Sequence, residues 1–541
     1  MKYNKAYLPL IISIGIAIGI LIGFYMPHPQ TGLYTNFPPS NDKLSRVLDI
    51  IESDYVDTIN RNSLIEEAIP LMLRSLDPHS VYIPAKDLAQ ANEPLQGNFD
   101  GIGVSFNMIT DTVLIISTIS GGPSEKLGIL PGDKIIYIND SLVAGKKIPD
   151  EDIIKMLKGP RGTKVEVKIL RKGAESLLPF TIIRDKIPLF SVDVSYMMSD
   201  DVGYMKISTF AMTTHEEFIK GLKELKHDGM KKLILDLRGN SGGVMDAATA
   251  IADEFLPDGD LIVFTMGKSK PRQEIRASSN GEFEKGELVI LIDEWTASAS
   301  EILAGAIQDN DRGTIMGRRS FGKGLVQEPV MFRDGSGMRL TIARYYTPSG
   351  RSIQKPYNEG IDKYYEDLGM RYIHGEFERA DSIHFPDSLR YTTKGGRTVY
   401  GGGGIMPDVF LPMDTTGLTK YFLQIRNTGL IYRYALRFTE DYRDAMKKYQ
   451  DLKSLDKWLS KQDLMEKFIK YAAENGVPPV NKDIAVSKDL IYIQLKAYIA
   501  RNMLDNKGFY PLWEKIDKTL LDAYNYISKD LQAESTLTDQ H

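Results

Sequence analysis

The sequence predicts a multidomain protein of mixed α+β and α/β class, and three observations say so. Its 541 residues, 42% of them apolar, suffice for three or four domains with separate cores. Short β-patterned runs dominate from about residue 97 to 186, with only two helical pieces among them. From 202 to 409, near-continuous apolar runs alternate with amphipathic helical stretches, as in a sheet covered on both faces. Helical periodicity on either side of these regions completes the outline. The net charge of −5, from 67 basic and 72 acidic residues, gives no bulk attraction for nucleic acid. Cysteine is absent, which excludes disulfides, thiolate metal ligands, a thiol nucleophile and a lipidated cysteine anchor. The seven histidines lack the i, i+4 pairing with glutamate of a helical zinc site, so no metal is expected.

At the amino terminus, Met1-Lys-Tyr-Asn-Lys5 precedes an uncharged stretch, residues 6–27, in which Ile and Leu dominate. As a helix rising ~1.5 Å per residue it nearly spans a ~30 Å hydrocarbon core. Lys2 and Lys5 favour a cytoplasmic start, so everything after Pro27 is expected outside the cytoplasmic membrane, in the periplasm. Residues 1–27 are therefore read as a signal anchor; a cleaved secretory signal is the alternative, against which stands the lack of a small-x-small cleavage site. Residues 28–95 comprise a Pro/Gly/Asn-rich linker and a helical region, with Val47, Leu48, Ile51, Ile65, Ile69 and Met72 at helical spacing. It closes on Leu76-Asp-Pro-His-Ser80, where Pro78 stops a helix and His79 reads as a turn residue.

Strands are expected at 101–106, 113–117, 134–138 and 164–170, and helical pieces near 124–127 and 149–157, with a Pro-Gly-Asp turn at 131–133. This order resembles a PDZ domain, assigned to 96–186, whose carboxylate-binding loop would be Gly101, Ile102, Gly103 and Val104. Successive amides around two glycines can hold a terminal carboxylate while the adjoining strand edge takes up an extended peptide. A PDZ-shaped spacer that binds nothing is the alternative.

Residues 187–415 form the α/β region. Strands are expected at 232–237 and 287–292, each followed by a turn and a helix, 244–256 and 299–309. Such units collect their turns at the carboxyl edge of the sheet, so Ser298 and Asn240-Ser-Gly-Gly243 are expected to meet. A hairpin follows, 326–332 and 338–346, around Asp334-Gly-Ser-Gly337. The remainder, 416–541, is helical and is placed outside the chemistry.

Ser298 lies in Trp295-Thr-Ala-Ser-Ala-Ser-Glu301 and Lys323 in Ser320-Phe-Gly-Lys-Gly324. They read as a nucleophile and its base: a hydroxyl attacks poorly until a neighbour takes its proton, and an amine does so only if desolvation holds its pKa below ~10.4. Each has a plainer rival. Ser298 and Glu301 fit a helix capping box, although that same place puts the hydroxyl beside first-turn amides that stabilise an oxyanion. Residues 317–323 match the start of a phosphate-binding loop, but Gly324 stands where Ser or Thr is required and a β-patterned run follows.

Six ordered motifs, Leu235-Asp-Leu-Arg-Gly-Asn-Ser-Gly-Gly243, Thr296-Ala-Ser-Ala-Ser-Glu-Ile302, Gln308-Asp309, Phe321-Gly-Lys-Gly-Leu-Val-Gln327, Tyr345-Tyr-Thr-Pro-Ser-Gly350 and Leu76-Asp-Pro-His-Ser80, with Gly401-Gly-Gly-Gly-Ile-Met-Pro-Asp408 after them, resemble the C-terminal processing peptidases, or tail-specific proteases. The resemblance covers about residues 40–415. It implies a crotonase-like α/β core and a serine-lysine endopeptidase that recognises substrate tails through its PDZ domain. The family's nucleophile falls on Ser298 and its general base on Lys323, 25 residues on. Thr296 and Ser300 are rival hydroxyls, and the register with Asp309 and Lys323 favours Ser298. Gln327 matches the residue that orients the lysine. The oxyanion hole would combine the Ala299 amide with that of Gly242 or Gly243. Asp309 matches a family position, but an acid at a helix carboxyl end opposes the dipole and needs a compensating contact, which leaves a structural role open. No cofactor is implied. The implied partners are proteins with accessible carboxy-terminal tails and, through the anchor, the membrane; an adaptor and self-association of the helical ends are left open. A silent scaffold of the same fold is the rival function. Residues 357–397 and the helical tail depart from the family pattern and carry no readable motif.

Overall fold

The computed structural model describes residues 42–529 except 110, 120 and 280. The expected membrane span at 6–27 lies outside the described residues; among those described, no helix is long and apolar enough to cross a membrane. The chain divides into two compact units, one up to Ile69 and one from Pro70 onward. In the first, α1 (Lys43–Asp54) is capped by Asp42, which accepts from the Leu44 amide at 3.0 Å. Arg61, at the start of α2 (Arg61–Arg74), pairs with Asp49 (2.7 Å) and Glu52 (3.0 Å).

The second unit continues through the turn at 76–80 into β1 (Val81–Ile83) and α3 (Ala85–Gln96), a helix the sequence reading did not anticipate. Then come β2 (Asn98–Gly101), β3 (Val104–Ile109), β4 (Thr112–Thr118), α4 (Pro123–Lys126), β5 (Lys134–Ile138), β6 (Ser141–Leu142), α5 (Asp150–Leu157), β7 (Lys164–Leu170), β8 (Leu178–Ile183) and β9 (Asp185–Pro188). Strands β3-β4-β5-β7-β8 form an antiparallel sheet with β6 beside β5, and β2 pairs with β9 at its entrance and exit. Val165, Val167 and Ile169 of β7 point inward and their neighbours outward, the alternation of a sheet covered on one face. The single strand expected over 101–106 is two: β2 stops at Gly101, and the chain turns at Gly103, φ +71°, before β3 starts.

The α/β region runs through β10 (Val192–Met197), β11 (Val202–Ile207), α6 (Thr214–His227), β12 (Lys232–Asp236), α7 (Met245–Asp253), β13 (Leu261–Met266), β14 (Gln273–Arg276), β15 (Glu287–Ile292), α8 (Ala299–Asp309), β16 (Thr314–Gly317), β17 (Leu325–Met331) and β18 (Gly337–Tyr346). The stretch 357–397, unread in the sequence, contains α9 (Ile361–Ile373), β19 (Arg390–Thr392) and two short 3-10 turns; β20 (Thr398–Tyr400) and β21 (Val409–Phe410) follow. The main sheet has the order β10-β11-β12-β15-β16-β21 and is parallel from β11 on. A second sheet, β1-β18-β13-β14 with β17 also on β18, brings the turn before β1 beside the hairpin that follows Lys323.

One face of the main sheet, through Leu233, Leu235, Leu288, Ile290 and Ile292, packs on α6, α7 and α8. The other face, through Ile234, Val289 and Leu291, packs on Leu520, Ala523 and Ile527. Those three residues belong to the helical tail, which among the described residues comprises α10 (Lys420–Asn427), α11 (Leu430–Met446), α12 (Leu452–Leu459), α13 (Leu464–Glu474), α14 (Asn481–Trp513, broken at Leu504 and Asp505) and α15 (Lys518–Ile527). The helical region read at 416–541 thus also covers one face of the main sheet. Burial of each such leucine, isoleucine or valine contributes roughly 1.5–3 kcal/mol, and a parallel sheet needs both faces covered.

Candidate active site

Parallel pairing of Leu235 with Ile290 and Asp236 with Leu291 ends β12 and β15 at one level, so the turns after them adjoin. The Ala297 amide donates to the Asn240 carbonyl at 3.0 Å. Thr296 Oγ1 donates to the Leu237 carbonyl (2.9 Å) and Ser300 Oγ to that of Asn240 (3.0 Å). Both rival hydroxyls are thus buried and committed to the backbone, whereas Ser298 is only half-buried. Ser298 is the N-cap of α8 at φ +56°, ψ −116°, a conformation that costs a non-glycine residue about 1–3 kcal/mol.

Beside it, a Cβ on Gly242 would lie 2.7 Å from Ser298 Cβ and 3.0 Å from the Ala299 nitrogen, so only glycine fits. Of the two glycines expected to offer an amide, Gly242 donates to Asn240 Oδ1 (2.9 Å) and is committed. Gly243 opposes Phe210 in an isolated parallel bridge whose two bonds use the Gly242 carbonyl (3.0 Å) and the Val244 amide (2.7 Å). In that pattern the middle residue's own amide faces away from the partner strand. Among the described residues, the amides of Gly243 and of Ala299, the first residue of its helix, are left without acceptors in this corner.

The lysine loop meets the serine turn through shared anchors. Glu301 is fully buried, and its Oε2 accepts from the amides of both Ser298 (2.8 Å) and Lys323 (2.9 Å). Its Oε1 accepts from the Gly322 amide (2.7 Å) and Ser320 Oγ (2.5 Å). Burial pushes this carboxyl up to about 7 against those four donors. The Tyr345 hydroxyl lies 2.6 Å from the Lys323 carbonyl oxygen and 3.1 Å from that of Ser298, and the Phe321 amide donates to the Thr296 carbonyl at 2.9 Å. Residues 298 and 323 are thus fastened to the same two side chains. The sequence showed Glu301 only as half of a capping box; the further signal it carried is an acid followed by seven uncharged residues, 302–308, in a helix that the structure buries throughout.

Lys323 Nζ donates to Gln327 Oε1 at 3.1 Å and, among the described residues, is not in hydrogen-bond contact with the Ser298 hydroxyl. Such contacts commonly close only when substrate is bound. Burial holds the Lys323 amine below its ordinary pKa, with the Glu301 carboxylate opposing. A strand, β17, follows the loop, which disposes of the phosphate-binding reading.

Asp309 sits at the far end of α8, about 15 Å along the helix from Ser298. It forms a fully buried ion pair with Arg351 (2.7 Å) and accepts from the Ser349 amide (3.1 Å) and hydroxyl (2.6 Å). That is the compensating contact the helix dipole demands, and it holds Asp309 at the opposite end of α8 from Ser298. A network that sequence reasoning missed lies under the glycine turn: Arg238 forks onto Asp236 (Nη2 2.7 Å) and onto Asp517 of the tail (2.9 and 2.7 Å).

In the antiparallel domain, a cavity of about 270 Å³ opens between β3 and α5, lined by Ile102, Gly103, Val104, Phe106, Ile154 and Leu157. Gly101 lies before it, paired with Asp185 in β2. Helix α3 forms one rim through Gln90, and its Glu93 pairs with Lys158. No group of three or more metal-binding side chains occurs among the described residues.

Four sequence profiles match the chain: peptidase family S41 at residues 201–366, PDZ domain at 101–181, activating protease CtpB N-terminal domain at 30–87, and a family of unknown function at 421–505. The carboxy-terminal-processing protease of Bartonella bacilliformis is 35% identical over 319 residues, 58% of this chain and 73% of that protein. Carboxy-terminal processing protease CtpB of Bacillus subtilis is 36% identical over 318 residues, 58% of this chain and 65% of its own length. Among solved structures, the photosystem II D1 C-terminal processing protease aligns with 69% of this chain and 87% of its own at 26% identity and a TM-score of 0.37.

Proposed function

The chain belongs to the carboxy-terminal processing proteases of peptidase family S41, serine-type peptidases, and on that premise we propose that Ser298 and Lys323 carry its chemistry. The neutral Lys323 amine takes the proton of Ser298 Oγ as that oxygen attacks the scissile carbonyl. The Ala299 and Gly243 amides receive the oxyanion, and the helix N-terminus adds its positive dipole end. Collapse returns the lysine's proton to the leaving amine and leaves an acyl-serine, which water releases with Lys323 again as base. Gln327 accepts from the amine in either charge state, so it aims the base without fixing its charge. The reading rests above all on Glu301, a single carboxylate bonded to the amides of both residues.

Substrates are proteins with accessible carboxy-terminal tails, taken up where Ile102, Gly103 and Val104 border the apolar groove: the terminal carboxylate meets the backbone amides and an apolar last side chain enters beside Phe106 and Leu157. The uncharged stretch at 6–27 supports a membrane-anchored enzyme whose catalytic part lies outside the cytoplasm. Purified full-length protein should cleave dye-labelled casein, and Ser298→Ala and Lys323→Ala should each abolish that cleavage. Undiminished cleavage by both variants would disprove the dyad; a wild type that cuts nothing would make the chain a binding protein.

A further inference from the structure

A lysine base is only as well aimed as the group that receives it. The Gln327 amide can be turned over by 180°, and only one way round does its oxygen face Lys323. Gln327 Nε2 donates to the main-chain carbonyl of His79, and the flipped amide would set oxygen against oxygen there. That carbonyl is itself well fixed. Asp77 accepts from the amides of His79 and Ser80 (both 2.8 Å) and from Thr341 Oγ1 (3.1 Å), and Thr341 is Gln327's partner across β17 and β18.

The imidazole is a second fastener. His79 Nε2 shares a 2.8 Å hydrogen bond with the Tyr364 hydroxyl, and the rings meet edge to face at 5.3 Å. Tyr364 is buried on α9, near the end of the segment that matches peptidase family S41. Helix α9 also reaches the near end of the lysine loop: Arg371 donates to the carbonyls of Arg319 (2.7 Å) and Ser320 (3.1 Å). The neighbouring Tyr365 hydroxyl donates to the Pro78 carbonyl at 3.1 Å. The charged groups facing the imidazole are Lys323, Lys355 and Asp77; burial, with the two cations, pushes it down to about 4, so at neutral pH it adds no further positive charge beside the base.

We propose that His79 is a positioning residue for Lys323: its carbonyl orients the Gln327 amide, and its imidazole, locked to Tyr364, makes that orientation depend on helix α9. The inference rests on Lys323 being the general base. The test uses full-length protein carrying Tyr364→Phe, His79→Ala or His79→Gln, whose terminal amide can reach the place of Nε2, with kcat and KM on dye-labelled casein followed from pH 5 to 10. Tyr364→Phe and His79→Ala should lower kcat by ~10-fold or more and leave KM within about twofold. Their acid limb should move to higher pH, because a loosened lysine is better hydrated and keeps its proton. His79→Gln should recover most of the loss.

Wild-type kcat and acid limb in both Tyr364→Phe and His79→Ala would overturn the proposal. So would a lowered kcat with an unmoved limb and no recovery in His79→Gln, the pattern of mere structural support. If His79→Ala does not fold, Tyr364→Phe, which removes one oxygen atom, decides alone. Lys323→Ala in the same assay separates the two claims: if it still turns over, the base assignment fails; if it is dead while the other variants behave as wild type, only the positioning role fails.

Discussion

The turn that carries Ser298 and the loop that carries Lys323 end side by side, yet they are held in different ways. The serine turn is set by the sheet: β12 and β15 are neighbours in register, and backbone bonds such as Ala297 to Asn240 join their turns. The lysine loop has a strand on each side and backbone bonds such as Phe321 to Thr296, but it also depends on side chains remote in sequence, among them Glu301, Arg371 and Gln354, and on His79 acting through Gln327. A nucleophile positioned by strand pairing is as rigid as the fold. A base positioned by distant side chains can be adjusted, or lost, by changes far from it.

Glu301→Gln should show the largest effect, because Glu301 is the charged anchor common to both sides and bonds the amides of Ser298 and Lys323 through one oxygen. The amide keeps a single acceptor oxygen and turns an NH2 toward backbone donors, leaving buried groups unpaired at about 1–3 kcal/mol each. A fall in kcat of ~10³-fold or more is expected, with a lower melting temperature; near-normal turnover would mean that the serine and lysine are held independently. Asp309→Asn should act through the fold alone. It leaves Arg351 buried without its carboxylate, and a loss of about 3–5 kcal/mol should appear in urea unfolding, while the folded fraction keeps its kcat. A kcat collapse at unchanged stability would bring Asp309 back into the chemistry.

Gly242→Ala tests the rigidity of the serine side. Its Cβ has no room against Ser298, and φ is +102°, so a ~10²-fold drop in kcat is expected with no movement of the acid limb. A shifted limb would show that the serine turn also tunes the lysine. The smallest effect is a pH dependence of stability on the lysine side. With its pKa depressed from 6.5 to about 4, His79 stays neutral in the folded protein while the unfolded chain takes up a proton. Its contribution is complete above pH 6.5 and fades as the pH falls through about 4, by roughly 2–3 kcal/mol. Glu301, shifted upward, has the opposite slope, so the wild type must be compared with His79→Gln. Parallel curves between pH 7 and 4 would remove His79 from the buried network.

Legibility in the sequence followed the same division. Helix α8 spans 299–309 and β15 spans 287–292 as expected, because apolar period and length are local properties of the chain. The hairpin after Lys323 and strands β5 and β7 were equally readable. Arg371, Tyr364 and Asp517 were not, since a charged or aromatic residue on a helix or at its cap looks the same whether it meets water or a partner tens to hundreds of residues away.

By itself the sequence determined the class of fold, the succession of strands and helices, and, through ordered motifs, the family and the two residues proposed to react. Only the tertiary structure decided that Gly243 and not Gly242 keeps a free amide, that Asp309 answers Arg351, and that helix α15 covers a face of the main sheet. Periodicity and turn chemistry act between residues near in sequence and can be read along the chain. Hydrogen-bond commitment and burial depend on which distant segments meet, and folding alone settles that.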